Sequence, residues 1–133
     1  MRLYMLDTNI CIYVMRDRPT EVGERFYRST GEMCISTITL GELLYGAEKS
    51  ERPAENRHAV DRFIAQLEVL PFSDAAASHY GQIRAELVRL GRPAGIHDIQ
   101  IGAHARSEGL TVVTNNVREF ARMPGLRVEN WVS

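Results

Sequence analysis

Short apolar runs alternate along this chain with longer segments in which apolar residues recur every three or four positions. The short runs predict β-strands, and Pro71 favours an edge position for the third of them because proline has no N–H to donate within a sheet. The predicted strands lie at residues 3–6, 33–36, 69–72 and 110–114, with a last edge strand at 127–129. Runs that are apolar on both faces are typical of buried strands in a parallel sheet.

The segments between the strands predict helices. The clearest begins at Asp74 and ends at Gly91, because its apolar residues follow helical spacing and glycine commonly terminates a helix. Further helices are predicted at residues 8–15, 19–30, 38–49, around 60–67, 99–107 and 118–122. Strands that alternate with helices imply right-handed crossovers. We therefore expect an α/β fold with a single domain over residues 1–133, in which helices cover both faces of a parallel sheet of four to five strands.

Acidic residues occupy corresponding places in this repeating pattern. Asp7 directly follows the first strand, and Glu42 lies on the helix after the second. Asp98 begins a helix after a loop rich in glycine and proline, and Glu119 follows the strand at 110–114. The carboxyl ends of parallel strands share one edge of the sheet, where ligands bind. Clustered carboxylates there would favour Mg²⁺ or Mn²⁺, which relieves their repulsion and can activate water against a phosphodiester.

Each of these residues also has a purely structural interpretation. Asp7 and Asp98 could be helix caps, and Glu42 and Glu119 could be ordinary solvent-facing helix residues. Asn116, at the end of the fourth strand, could be a turn residue instead of a neighbour of the acids. Composition and spacing by themselves leave these alternatives open.

Composition excludes some classes of function and leaves others open. The hydrophobic fraction of 44% and the charged fraction of 25% are ordinary for a globular protein. The net charge of −1 gives no electrostatic indication of nucleic-acid binding. All basic residues except Lys49 are arginine, which suits bidentate contacts with phosphate, but they are scattered along the chain as codon bias would also place them.

The cysteines, the histidines and the short apolar runs argue against a disulfide, a zinc site and a membrane segment. Cys11 and Cys34 are predicted to be reduced core residues, because neither has a partner at metal-ligand spacing. The four histidines do not form a zinc-binding pattern. No apolar run is long enough for a membrane span or a signal peptide, so we expect a cytoplasmic protein with no membrane partner.

Five stretches together resemble the PIN-domain ribonucleases and, among them, the VapC-type toxins of bacterial toxin–antitoxin pairs. They cover almost the whole chain in the order found in that family. The stretches are residues 5–9 (MLDTN), 35–46 (ISTITLGELLYG), 91–105 (GRPAGIHDIQIGAHA), 113–120 (VTNNVREF) and 129–131 (ENW).

The resemblance implies a PIN-like α/β/α sandwich and cleavage of RNA by water activated by Mg²⁺ or Mn²⁺. Asp7, Glu42 and Asp98 carry over onto the acidic triad of the family, with Asp7 and Asp98 as direct metal ligands and Glu42 as a third ligand that can act through water. Asn9 and Thr114 carry over as polar supports of Asp7.

Many members of the family have an aspartate where this chain has Asn116. Glu119, one helical turn later, can replace that charge, so it is the expected fourth catalytic acid with Asn116 in a supporting role. The resemblance further implies a homodimer, a VapB-type antitoxin that inserts a basic side chain among the carboxylates, and initiator tRNA, cut in its anticodon region, as the leading substrate.

Two other functions are weighed against this one. A haloacid-dehalogenase-like phosphatase also begins with a strand and an aspartate, but it needs an acid two residues later, where this chain has Asn9. A non-enzymatic, metal-stabilised interaction module is the other alternative, since a fold does not determine a function.

Overall fold

The computed structural model describes residues 1–133 and consists of five short strands and seven helices. Every predicted strand and helix is present, so the predicted α/β fold is confirmed. In chain order the elements are β1 (Tyr4–Leu6), α1 (Thr8–Arg16), α2 (Thr20–Arg28), β2 (Met33–Ser36), α3 (Thr37–Glu48), α4 (Pro53–Ile64), β3 (Glu68–Leu70), α5 (Asp74–Arg89), α6 (Ile96–Ser107), β4 (Thr111–Val113), α7 (Val117–Phe120) and β5 (Arg127–Glu129).

The five strands form one fully parallel sheet in the order β3-β2-β1-β4-β5. The strands at its two edges are β3 and β5, as predicted. The chain leaves β1 towards β2 on one side and later returns to β4 on the other side, where Leu6 pairs with Val113. A parallel sheet has its ligand-binding crevice at such a change of direction, beyond the carboxyl ends of the strands.

Alternating side chains of the strands divide the core into two layers. On β1, Met5 faces a cluster formed with α5, α6 and α7, whereas Leu6 faces a cluster formed with α1 to α4. On β4, Val112 and Val113 divide in the same way. The continuously apolar strands therefore result from coverage on both faces, which is the predicted arrangement of helices.

Several boundaries differ from the prediction, and three of these differences have local reasons. The third strand ends at Leu70 instead of residue 72, because Pro71 cannot donate to the sheet. Pro19 precedes α2 instead of forming its first residue. The sixth helix begins at Ile96, with Gly95 as its N-cap, so Asp98 lies inside the first turn and is not a cap.

Other local predictions hold. Gly91 adopts a positive φ of 64° after α5, a conformation that glycine accepts without steric strain. Cys11 and Cys34 are buried free thiols, as predicted. The helices of this structure are all too short or too polar to cross a membrane.

Candidate active site at the carboxyl ends of β1 and β4

Asp7 lies in the crevice between β1 and β4 and is 3% exposed. It is the N-cap of α1, and its Oδ1 accepts a hydrogen bond of 2.9 Å from the backbone N–H of Ile10. Its Oδ2 accepts a bond of 2.5 Å from the hydroxyl of Thr114, which directly follows β4. The cap interpretation and the site interpretation of Asp7 are therefore compatible, because the same carboxylate serves the helix and faces the crevice.

Burial is the main cause that raises the pKa of Asp7 above its ordinary value of 3.8. The bonds from Thr114 and Ile10 oppose this rise because they stabilise the charged carboxylate. The nearby charge of Glu42 adds to the rise. Glu42 accepts a hydrogen bond from Thr8, the residue directly after Asp7, so the two acids lie in one site although 35 positions separate them in the chain.

Glu42 is fixed by donors from two other helices. Its Oε1 accepts a bond of 2.7 Å from the hydroxyl of Thr8 on α1. Its Oε2 lies 2.9 Å from Nδ1 of His97 on α6. Thr8 Oγ1 is also 3.4 Å from the buried hydroxyl of Thr39, one turn before Glu42 on α3. The carboxylate of Glu42 is therefore held in one orientation at the mouth of the crevice.

Asp98 and Glu119 form a pair of carboxyl groups beside Gly95, where a Cβ would lie 3.6 Å from Glu119 Oε1 and 3.9 Å from Asp98 Oδ2. Burial, a hydrogen bond with Glu119 and the charges of Glu119, Asp7 and Glu42 together raise the pKa of Asp98 from 3.8 to about 7. Burial and nearby negative charge both disfavour the ionised form, so Asp98 keeps its proton to a higher pH than an isolated aspartate does.

Glu119 also organises the loop before α6. Its Oε1 accepts a hydrogen bond from the backbone N–H of Gly95, the N-cap of that helix. Its Oε2 accepts a hydrogen bond from the side-chain amide of Asn116. Asn116 in turn donates its backbone N–H to Thr114 Oγ1 at 2.9 Å. The turn after β4 therefore links Asp7, Thr114, Asn116 and Glu119 into one polar network.

The predicted site residues thus converge, with one exception. Asp7, Glu42, Asp98, Glu119, Thr114 and Asn116 are connected by these bonds and charge effects. Asn9 is exposed and makes no hydrogen bond with Asp7 in this structure. Its position on α1 gives it no direct contact that explains a supporting role.

The carboxylates of Asp7, Glu42 and Asp98 are donors of the kind that a divalent cation requires. Hard carboxylate oxygens and their mutual repulsion suit Mg²⁺ or Mn²⁺. No three acidic, histidine or cysteine side chains form a closed metal shell. Mg²⁺ commonly binds one or two protein carboxylates and completes its octahedron with water and substrate phosphate. The residues therefore fit a cation of this type, with Asp7, Asp98 and Glu42 as the side chains that would hold it.

Sequence reasoning did not assign two residues that contact Glu42. These are Thr8, which donates to Oε1, and His97, whose Nδ1 lies against Oε2. The only available signal was their position next to Asp7 and Asp98, because nothing in the sequence shows that both side chains turn towards α3.

A second histidine connects the helix of Asp98 to the strand before α3. His104 is fully buried, and its Nδ1 lies 2.8 Å from Oγ of Ser36, the N-cap of α3. Burial lowers the pKa of His104 below its ordinary value of 6.5, which favours the neutral ring. This contact fixes the position of α6 relative to α3 and hence of Asp98 relative to Glu42.

A parallel α/β sandwich with acids gathered at the change of strand direction defines a class of protein that comparison with known families identifies. Residues 4–126 match the PIN domain family, and the chain belongs to it. The chain is 54% identical over 131 residues to the tRNA(fMet)-specific endonuclease VapC of Shigella flexneri, with 98% of this chain and 99% of that protein covered.

Solved structures agree with this assignment. A chain of the DNA-bound VapBC complex of Salmonella typhimurium is similar with a TM-score of 0.94 and 55% identity, covering 98% of this chain and 99% of that chain. VapBC2 of Rickettsia felis, bound to a promoter DNA fragment, gives a TM-score of 0.91 and 39% identity, with coverage of 97% and 98%. These relatives support neither the phosphatase nor the interaction-module alternative.

Proposed function

We propose that this protein is an endoribonuclease toxin that hydrolyses RNA phosphodiester bonds with the aid of Mg²⁺ or Mn²⁺. The observation that carries the proposal is the convergence of Asp7, Glu42, Asp98 and Glu119 at the change of strand direction. Burial there, together with the hydrogen bond and charge of Glu119 and the charges of the other acids, raises the pKa of Asp98 to about 7. A cation bound there would lower the pKa of a bound water and offset charge on the phosphate.

The side chains of the chain have distinct tasks in this proposal. Asp7 and Asp98 offer oxygens to the cation, and Thr114 keeps Asp7 ionised and oriented. Glu42, held by Thr8 and His97, faces the same space and can contact the ion directly or through water. Glu119 keeps the start of α6 in place and serves as the fourth acid.

Initiator tRNA, cut in its anticodon region, is the proposed substrate. The relative from Shigella flexneri, named for action on tRNA(fMet), matches this chain over nearly its full length. A cytoplasmic location would agree with such a substrate and with the two unpaired thiols.

A VapB-type antitoxin is the proposed protein partner, because the similar solved structures are VapBC complexes. A basic side chain of that antitoxin would offset the repulsion among the four acids. We further propose a homodimer, supported by the exposed apolar residues Val88 and Leu90 at the end of α5. Light scattering of the free protein and of its mixture with the antitoxin tests both assemblies.

The function is tested with the variant Asp7→Asn. Asparagine can cap the helix through Oδ1 while its Nδ2 donates to the Thr114 hydroxyl oxygen, so folding should be retained. Cleavage of initiator tRNA should fall about a hundredfold or more, and EDTA should abolish cleavage by the unmodified chain. Asp61→Asn, an exposed change on α4, is the matched control and should cleave normally.

Substrate comparison separates the alternatives. Hydrolysis of a simple phosphomonoester without any cleavage of RNA would support a phosphatase. Unchanged toxicity of Asp7→Asn in growing cells would support a non-enzymatic module. Sequencing of the RNA ends that appear on expression identifies the substrate and the cut position.

A further inference from the structure

A cleft lined by three arginines adjoins the acidic cluster. Arg92 from the loop between α5 and α6, Arg118 on α7 and Arg122 just after α7 line a cavity of about 590 Å³. A second cavity of about 410 Å³ continues from it past Arg118 and Arg122 to Gly95 and Glu119. The arginine cleft, defined by Arg92, Arg118 and Arg122, therefore opens directly onto the edge of the site.

The positive charges of this cleft are not neutralised by ion pairs. Every ion pair of the structure lies elsewhere and involves other basic residues. Arg122 donates from Nη1 to the backbone carbonyl of Pro93 at 2.8 Å, which holds the wall of the cleft. Arg92 and Arg118 are exposed. Like charges that line a concave surface reinforce one another and attract anions.

The chemistry of the cleft fits a phosphate chain better than a protein segment. The apolar side chains in its lining are small: Pro93, Ala94 and Ala121. The groove between α1, α3 and α4 is different, since Ile12, Leu43 and Val60 contribute to its wall. Guanidinium groups match phosphate oxygens in bidentate geometry.

We infer that the arginine cleft binds the RNA phosphates next to the scissile one and so directs the strand across the acidic site. This inference rests on the proposed ribonuclease function. Four carboxylates repel a polyanion, so an acidic site that acts on RNA requires positive charge beside it. The three arginines supply that charge, although the net charge of the whole chain is −1.

The inference is tested with the double variant Arg92→Gln/Arg118→Gln. Binding of a short labelled single-stranded RNA is measured in EDTA, where no cleavage occurs, between about 50 and 200 mM salt. We expect the Kd to rise at least about tenfold, because two charged hydrogen-bonding groups are lost. The slope of log affinity against log salt should become shallower by about 0.7 for each arginine removed. Arg122 is retained because it holds the loop.

Arg28→Gln/Arg62→Gln is the matched control. It removes the same charge from exposed positions on α2 and α4, and it should leave the salt slope unchanged. Arg118→Lys supplies a second variant that keeps the charge but not the bidentate geometry. It should weaken binding less than Arg118→Gln, with an unchanged salt slope.

The outcomes separate this inference from the proposed function. If the double variant and the control bind RNA equally, with equal slopes, the cleft does not bind the strand and the inference is overturned. If the unmodified chain still cleaves RNA in that case, the proposed function is retained. If the unmodified chain does not cleave RNA, the proposed function itself is wrong. Normal RNA binding combined with lost affinity for the antitoxin would assign the cleft to the protein partner and would also overturn the inference.

Discussion

At the scale of single residues, the site depends on hydrogen-bond donors that hold Glu42 and Asp7 in place. Glu42 has Thr8 on one oxygen and His97 on the other, and Asp7 has Ile10 and Thr114. The two donors of each acid come from different parts of the fold, so the orientation of each carboxylate depends on how those parts pack. Removal of a donor to the partly exposed Glu42 should therefore reduce activity more than stability. Removal of a donor to the buried Asp7 should reduce both activity and stability.

The variants His97→Asn and His97→Gln should show which ring nitrogen of His97 is needed for activity. The asparagine amide occupies a position near Nδ1 and can still donate to Glu42, whereas the glutamine amide lies near Nε2. We expect His97→Asn to retain most activity and His97→Gln to lose about tenfold in kcat/KM, measured on initiator tRNA. The reverse order would show that Nε2, and not the bond to Glu42, matters.

Thr114→Val should shift the pH dependence of the reaction. The bond from Thr114 lowers the pKa of Asp7, so its loss raises that pKa further and moves the acid limb of kcat/KM to higher pH. It also leaves a buried carboxylate oxygen without a donor, which should reduce unfolding free energy by about 1–3 kcal/mol in urea. Thr114→Ser keeps the hydroxyl and should behave like the unmodified chain; a shifted acid limb in that variant would contradict this account.

At the scale of elements, α6 matters most because it carries Asp98, His97 and His104. Its position is fixed by the bond between His104 and Ser36 and by close packing at Gly102. A Cβ at Gly102 would overlap Sδ of Met123 and lie 3.2 Å from Cδ2 of Leu126. The small residue therefore lets the segment after α7 approach the helix closely.

Gly102→Ala should destabilise the protein although alanine favours helices. Overpacking of a core contact costs about 1–3 kcal/mol, which exceeds the gain of about 1 kcal/mol in helix propensity. Gly81→Ala on the exposed face of α5 is the control, since no atom lies within 4 Å of the new Cβ. It should stabilise by about 0.5–1 kcal/mol in urea unfolding. Equal effects of the two changes would show that the contact at Gly102 relaxes freely.

At the scale of the whole molecule, the fold forces like charges together at one edge of the sheet. The two core layers fix the strands and helices, and the acids have no freedom to separate. The resulting repulsion lowers the free energy of unfolding of the cation-free protein. Such a loss of stability is expected where side chains are arranged for binding. The raised pKa of Asp98 allows this loss of stability to be measured as a function of pH.

Asp98→Asn should stabilise the cation-free protein in a pH-dependent way. Because folding raises the pKa of Asp98 from 3.8 to about 7, the folded state binds the extra proton between these values. The contribution of Asp98 to the free energy of unfolding is therefore present at low pH. It is lost as the pH rises through about 7. The Tm of Asp98→Asn in EDTA should exceed that of the unmodified chain by a few degrees above pH 7, and the difference should shrink at lower pH.

His104 titrates in both proteins, so it cancels from this difference. Mg²⁺ should raise the Tm of the unmodified chain more than that of Asp98→Asn, because only the former retains the full donor set. Asp61→Asn should match the unmodified chain at every pH. A difference between Asp98→Asn and the unmodified chain that does not depend on pH would contradict the assignment of the raised pKa to Asp98.

The sequence was informative wherever a property depends on neighbouring residues. Apolar runs located the strands, and a polar residue at the end of a buried run located Asp7. Proline and glycine located the edge strand and the end of α5. The predicted start of α6 is wrong: the carbonyl of Gly95 accepts the first helical bond from Ile99, and the N–H of Gly95 donates to Glu119, which lies 24 positions away.

The sequence by itself determined the order of strands and helices and the identity of the acids, because hydrophobic periodicity and strand ends are local properties of the chain. Only the tertiary structure decided which side chains meet. It paired His97 with Glu42 and Asp98 with Glu119, and it gathered three scattered arginines into one cleft. Such contacts depend on how separate elements pack across the sheet, and no local pattern of residues encodes those distances.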